Sequence, residues 1–211
     1  NRVNRNSFEK KYNKPAYKNV RDGVLKENPS IVVISTPTST HSIILDEVLE
    51  YISPKLILCE KPLDYDLSRA KFMIDKCKKN KIELLVNYIR RSDPGSIEIK
   101  KRILSGKIKQ PLKGFVYYSK GIMNNGSHYL NILEDWLGKC TSVNCISKKS
   151  QYTKNDFNYD FNAYFGKNKI SFISTESNTT ESDFIKIESS SGQLFYEHGG
   201  RSIYWKNKEK N

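Results

Sequence analysis

Ile31-Val-Val-Ile-Ser-Thr-Pro-Thr-Ser-Thr-His41, followed by Leu56-Ile-Leu-Cys-Glu-Lys-Pro62, decides how this chain folds. Each stretch begins as a short aliphatic run and ends in a polar cluster. Runs of that kind, bounded by turn residues, read as buried parallel strands. Between them, His41 to Tyr51 sets Ile44, Leu45, Val48 and Leu49 at helical spacing. Strand, helix, strand is one right-handed crossover of a doubly wound sheet. Such sheets bind ligands outside the carboxyl ends of their strands. Glu60-Lys61-Pro62 therefore puts a carboxylate and an amine at the mouth of a nucleotide-type crevice.

The pattern continues on both sides. Ser7 to Tyr12 and Tyr17 to Glu27 read as short helices around Lys14-Pro15-Ala16. Asp66 to Asn80 is a helix striped by Leu67, Ala70, Met73, Ile74 and Cys77, with Asp64 or Asp66 as its cap. Ile82 to Val86 is the next strand and 95–105 the next helix, stopped by Gly106. Alternating β and α predicts a parallel sheet. From about Pro111 the texture changes. After a strand at Phe115–Tyr118 and a helix over Asn125–Leu137, the chain is mostly strands at hairpin spacing: Ser142–Ser147, Asp160–Phe165, Ile170–Ser174, Asp183–Glu188, Gln193–Tyr196 and Ser202–Trp205. The expected organisation is an α/β domain over 1–92 and an α+β domain with a large, mainly antiparallel open sheet over 93–211. A site between two such domains is the usual enzyme plan.

Bulk composition excludes several classes. The 211 residues hold no apolar run of about 18, so no membrane-spanning helix is expected. The polar start has no signal-peptide core. Cys59, Cys77, Cys140 and Cys145 show neither CxxC nor CxxH spacing, which predicts free thiols in a cytoplasmic protein and no metal site. The net charge of +13 suits a polyanion partner, but the lysines are scattered and no nucleic-acid-binding signature accompanies them, so nucleic acid is not the expected partner. No Ser-His-Asp arrangement, HExxH or P-loop is present.

The motifs, taken in order, resemble the Gfo/Idh/MocA family of NAD(P)-dependent oxidoreductases, which act on sugars, cyclitols and sugar derivatives. The matching pieces are Ser35-Thr36-Pro37…His41, Cys59-Glu60-Lys61-Pro62, Val86-Asn87-Tyr88…Arg91-Ser-Asp-Pro94, Ile103-Leu-Ser-Gly106-Lys-Ile108, and Lys120-Gly121…Asn125-Gly126-Ser127-His128, followed by Trp136-Leu-Gly138. They cover roughly residues 8 to 205. The resemblance implies an incomplete Rossmann-like domain, NAD or NADP as cofactor, and a carbohydrate substrate. It also implies a homodimer or homotetramer joined through the second-domain sheets. It assigns Lys61 the acid/base role, with His128 as the second acid/base candidate or else a structural histidine. Ser35, Thr36, Pro37, His41, Glu60, Lys61 and Asn87 would contact the cofactor. Lys61, Arg91, Tyr118, Lys120, Asn124, Asn125 and His128 would contact substrate, with Arg91 either there or paired to Asp93.

The sequence departs from the family in two ways. No GxGxxG turn is present, so the first βαβ unit that grips the cofactor pyrophosphate is expected to be absent, and the sheet is expected to stop early at its far end. Asn124 and Asn131 stand where the family often places aspartates around the helix histidine. The alternative expectation is a non-catalytic or truncated relative that serves as a binding or scaffold subunit.

Overall fold

The computed structural model describes residues 2–176 and 181–208 and divides into two compact units, 1–87 and 88–211. The first unit opens with helix α1 (Arg2–Tyr12) and helix α2 (Val20–Glu27). The second helix begins at Val20 rather than Tyr17 because Asn19 caps it, its side chain accepting from Asp22 N at 2.8 Å. Strand β1 (Ile31–Ile34), helix α3 (His41–Tyr51), strand β2 (Leu56–Glu60), helix α4 (Leu67–Lys79) and strand β3 (Glu83–Asn87) follow. Asp66 caps α4, accepting from Arg69 N at 2.9 Å.

The strands form a parallel sheet in the order β1-β2-β3, with Ile31 opposite Leu56 and Glu60 opposite Asn87. Its core joins Ile34, Ile57 and Cys59 to Leu45, Met73 and Cys77. The other sheet face carries Ile31, Val33 and Leu85, which remain 56%, 59% and 44% exposed. The alternation is that of a sheet packed on one side. Burial raises the thiol pKa of Cys59 to about 12 and also raises that of Cys77.

The second unit starts with a 3-10 turn at 89–92 and helix α5 (Pro94–Leu104), whose cap Asp93 accepts from Gly95 N at 3.1 Å. Strand β4 (Lys113–Tyr118) leads to a π-type turn (Ile122–Gly126) and helix α6 (Ser127–Leu137). Six strands close the unit: β5 (Ser142–Thr153), β6 (Asp156–Phe165), β7 (Asn168–Ser174), β8 (Phe184–Ser189), β9 (Gly192–Glu197) and β10 (Ser202–Asn207). The described strands pair in the order β10-β9-β8-β4-β7-β6-β5, and only β4 with β7 is parallel. This is a Rossmann-like parallel unit followed by a mainly antiparallel sheet.

Boundaries in the second unit also differ from the sequence reading. The hairpin β5–β6 reaches Thr153 and Asp156, well past the expected strand ends, because β5 is polar and exposed along nearly its whole length. A strand with no buried face carries no alternation to read. Helix α6 starts two residues later than expected, because the chain enters it through the π-type turn.

Helices α5 and α6 cover one face of the seven-stranded sheet. Ile99, Ile103, Ile132, Leu133 and Trp136 pack on Val116, Phe161, Phe172, Ile185, Leu194 and Tyr196. The Trp136 indole N–H is satisfied by the backbone oxygen and hydroxyl of Ser96, at 3.1 and 3.0 Å. The opposite face carries half-buried Phe115, Tyr117, Phe184 and Phe195 with exposed Tyr204. Tyr117 stacks on Phe184 and Phe195 on Tyr204, both at 4.8 Å. β4 is central, and Gly114 is needed there: a Cβ would lie 2.1 Å from the Lys186 backbone oxygen on β8. Among the described residues, no helix is long and apolar enough to cross a membrane, and no group of three His, Cys, Asp or Glu could hold a metal ion.

Candidate active site

In the first unit the predicted residues gather at the carboxyl ends of β1, β2 and β3. Ser35, Thr36 and Pro37 form an exposed loop after β1. Thr40 Oγ donates to the Pro37 oxygen at 2.7 Å and lies 2.9 Å from the Thr36 hydroxyl, from which it can accept, pinning that loop to the start of α3. Glu60 ends β2 and Asn87 ends β3 in register with it, and Asn87 Nδ2 donates to Glu60 Oε1 at 2.7 Å. The bond fixes both side chains at the strand mouths and leaves the second Glu60 oxygen as an acceptor suited to a ribose hydroxyl. Lys61, half-buried, is the next residue, followed by a cis peptide to the buried Pro62.

His41 corrects the sequence reading. It is fully buried and does not reach the crevice surface. Its Nε2 lies 2.8 Å from the Thr36 oxygen and its Nδ1 3.1 Å from the Leu63 oxygen. The ring thus ties the loop after β1 to the loop after β2, one on each nitrogen. Both partners are carbonyls, so the neutral ring, with one N–H, satisfies one of them and the doubly protonated ring satisfies both. His41→Phe keeps a flat ring in place and removes its N–H donor. It is expected to destabilise the first unit by about 1–3 kcal/mol, the cost of one buried carbonyl left without a donor. Urea unfolding checks this, and a loss below about 0.5 kcal/mol, the level of a neutral surface change, would refute the tie.

In the second unit, His128 is the second residue of α6, directly after the π-type turn. The Tyr88 ring meets it edge-on at 5.8 Å. Burial raises the Tyr88 phenol pKa, with a hydrogen bond to Ser127 opposing. Asn124 Nδ2 donates to the Lys120 oxygen at 3.2 Å, and Lys120 sits in the left-handed region at φ +60°.

Three other residues predicted to contact substrate have structural partners. The Tyr118 ring is fully buried, with its hydroxyl donating to the Tyr159 oxygen at 2.7 Å and accepting from the Tyr159 N–H at 2.9 Å. Asn125 is buried, donates to Asp183 and to the Ser119 oxygen, and accepts from Arg90 at 3.2 Å. Arg91 pairs with Asp135 at 2.7 Å rather than with Asp93, which caps α5. Lys100 reaches the same Asp135 oxygen at 2.8 Å.

Burial works to raise the Asp135 pKa, but the bonds from Lys100 and Arg91 outweigh it and hold the carboxyl below its ordinary value. Its contribution is therefore present at neutral pH and lost as pH falls below about 4. Arg91 is half exposed, so Arg91→Met is expected to cost only about 0.5–1 kcal/mol at pH 7. It should also flatten the acid limb of the stability curve, which urea titrations from pH 3 to 7 would reveal.

The sequence reading missed Arg90, Asp156 and Asp183. Burial raises the pKa of both aspartates, against several hydrogen bonds that lower it. Asp183 directly precedes β8, and the sequence reading took it only as the first residue of that strand. His198 lies in a 3-10 turn with Nδ1 3.0 Å from the Glu181 oxygen, as a turn residue should.

Residues 2–88 match the model of the Gfo/Idh/MocA proteins, described as an oxidoreductase family with an NAD-binding Rossmann fold. This match covers the first unit and agrees with the resemblance carried by the motifs. Over 93 residues the chain is 39% identical to the scyllo-inositol 2-dehydrogenase (NAD(+)) of Bacillus subtilis, covering 42% of this chain and 27% of that one. It is 36% identical over 77 residues to an inositol 2-dehydrogenase of Rhizobium meliloti, covering 36% and 23%. A D-xylose 1-dehydrogenase [NADP(+)] of Haloarcula marismortui is 30% identical over 96 residues, with 46% and 26% covered. The chain thus spans about a quarter of the length of these relatives.

Among solved structures, the WlbA dehydrogenase of Bordetella pertussis, crystallised with NADH and UDP-GlcNAcA, superposes with a TM-score of 0.83 at 17% identity. That likeness covers 100% of this chain and 73% of WlbA. An oxidoreductase of Thermotoga maritima gives 0.82 at 14%, covering 100% and 71%. At such identities the likeness is one of fold.

The residues present suit one end of a nicotinamide cofactor. Glu60, Asn87 and the Thr36 loop offer the acceptors and donors that a ribose and a carboxamide need. The pyrophosphate end has no cradle among the described residues of the first unit. Gly23 is the sole glycine there, and it lies in α2 with the Tyr17 ring 3.1 Å from where its Cβ would be.

Proposed function

We propose that this protein belongs to an NAD(P)-dependent oxidoreductase acting on a secondary hydroxyl, or the matching ketone, of a cyclitol or sugar. The observation that carries the reading is the Glu60–Asn87 hydrogen bond, which holds two polar side chains at adjacent strand mouths beside Lys61. The names of the inositol and xylose dehydrogenases support the substrate class. A bound nicotinamide would supply the hydride acceptor. Lys61 Nζ would then take the hydroxyl proton as the C–H bond transfers its electron pair, and return it in the reverse direction. That task requires the amine to be neutral in the oxidative direction. In the second unit, His128, Asn124 and Lys120 are the candidates for hydrogen bonds to the sugar. Neither direction needs a metal for its proton or electron balance.

The test is full-length protein with NAD(+) or NADP(+) and scyllo-inositol, myo-inositol, D-xylose or a UDP-sugar, followed by nicotinamide absorbance. Turnover of any one supports the reading. Cofactor binding without turnover of any polyol would move it to the scaffold alternative. The aromatic open face of the seven-stranded sheet supports a further proposal, that two copies pack there as a homodimer or as half of a homotetramer. Light scattering that finds a monomer at micromolar concentration would overturn it.

A further inference from the structure

A buried carboxylate at the first residue of β6, ahead of the Asp160 start that the sequence reading gave this strand, holds the turn that leads into His128. The turn Ile122–Gly126 is wide: both Asn125 N and Gly126 N reach back to the Gly121 oxygen, each at 3.1 Å. A turn of this kind leaves the N–H groups at its start without partners in the helix. Asp156, 1% exposed, takes them. Its Oδ1 accepts from Met123 N at 2.9 Å and its Oδ2 from Asn124 N at 2.8 Å, with Ile122 and Phe157 backbone N–H groups also bonded to the carboxylate. Asn158, two residues further along β6, accepts from Gly121 N at 2.9 Å.

The approach is so close that a Cβ at Gly121, whose φ is +81°, would lie 2.2 Å from Asp156 Oδ2. Ser127 Oγ then bonds the Met123 oxygen at 2.7 Å, which carries the constraint to the residue before His128. Burial raises the Asp156 pKa, and the backbone N–H groups that bond the carboxylate oppose that rise by favouring its ionised form.

We infer that Asp156 is a positioning residue: its ionised carboxylate fixes the backbone from which Asn124 and His128 reach the substrate. The inference rests on the reading of those two side chains as substrate-facing. No acidic residue lies in the first turn of α6, and Asp156 supplies its carboxylate from β6 to the π-type turn that leads into that helix. Its effect reaches the chemistry only through Met123, Asn124 and Ser127.

The test compares wild type, Asp156→Asn and a core variant matched for stability, Ile187→Val, in the full-length protein. Asparagine keeps the shape but offers one acceptor oxygen, and it sets an NH2 against a backbone N–H. Amide hydrogen exchange at Met123 and Asn124 is expected to quicken by at least about tenfold in Asp156→Asn, while Val116 and Phe172 keep wild-type rates. Turnover should fall about tenfold or more with KM for the cofactor unchanged, since the cofactor residues lie in the first unit. Ile187→Val should show neither change.

Wild-type exchange at Met123 and Asn124 in Asp156→Asn would overturn the inference. So would an equal loss of turnover in Ile187→Val. If the wild type turns over no polyol, the proposed function is what fails, and the exchange comparison still decides the role of Asp156.

Discussion

Replacing Lys61 by alanine in the full-length protein is expected to lower turnover on the order of a hundredfold or more, as for removal of a general acid/base. Stability should change by no more than about 0.5 kcal/mol, the range of a partly exposed side chain outside a core. The argument is positional. Lys61 directly follows Glu60, whose carboxylate is fixed by Asn87, and it precedes the buried Pro62. The Lys61 main chain is therefore held on both sides while its amine remains half-exposed. His128→Ala should cost less. The residue one turn before it, Asn124, is an amide and supplies no carboxylate to assist the imidazole as a base. The activity–pH profile should accordingly report a lysine-like group. Near-normal turnover in Lys61→Ala with a dead His128→Ala would reverse the two roles.

The second large effect belongs to Phe172. Its ring is fully buried, stacked on Phe161 at 4.4 Å and edge-on to Tyr118 at 6.2 Å. It lies in β7 beneath the helices of the second unit. Phe172→Ala is expected to cost about 3–5 kcal/mol, the lost transfer energy plus the cavity left by a ring that its neighbours cannot fill. For a chain of this size that corresponds to a fall in Tm on the order of 10 °C. Phe172→Leu should recover most of it, because a branched aliphatic side chain fills part of the space. A loss under about 1 kcal/mol for alanine, typical of a peripheral site, would mean that Phe161 and Tyr118 do not pack on Phe172 as described.

The parallel unit was legible because strands packed under helices leave aliphatic runs, and Asn, Asp and Pro mark their ends. Ile31–Ile34 and Leu56–Glu60 show both signals, and the register that sets Glu60 beside Asn87 follows from them. The second unit was legible in class but not in detail. Phe161, Phe172 and Tyr196 point under the helices, whereas Tyr164 and Tyr204 share the open face with Phe115 and Phe195. Alternation gives two faces but not which one is covered.

Side-chain roles were the hardest to read. His41, Tyr118 and Asn125 stand in the right places by motif, yet their polar atoms are bonded to backbone carbonyls or buried partners. Asp156 and Asp183 lie 32 and 58 positions from the groups they bond, Asn124 and Asn125, with no local spacing to reveal it.

The unequal burial of the thiols makes the protein a natural candidate for site-directed labelling. A maleimide reacts with the thiolate, and the buried Cys59, whose pKa lies near 12, offers almost none at neutral pH. Cys77 is buried too, whereas Cys145 lies exposed on β5 and Cys140 is half-exposed. Changing Cys140 to serine would leave one reactive position, at the edge of the seven-stranded sheet. A spin label there needs no engineered cysteine, and in a two-fold assembly the two labels would report a single distance between matching sheet edges.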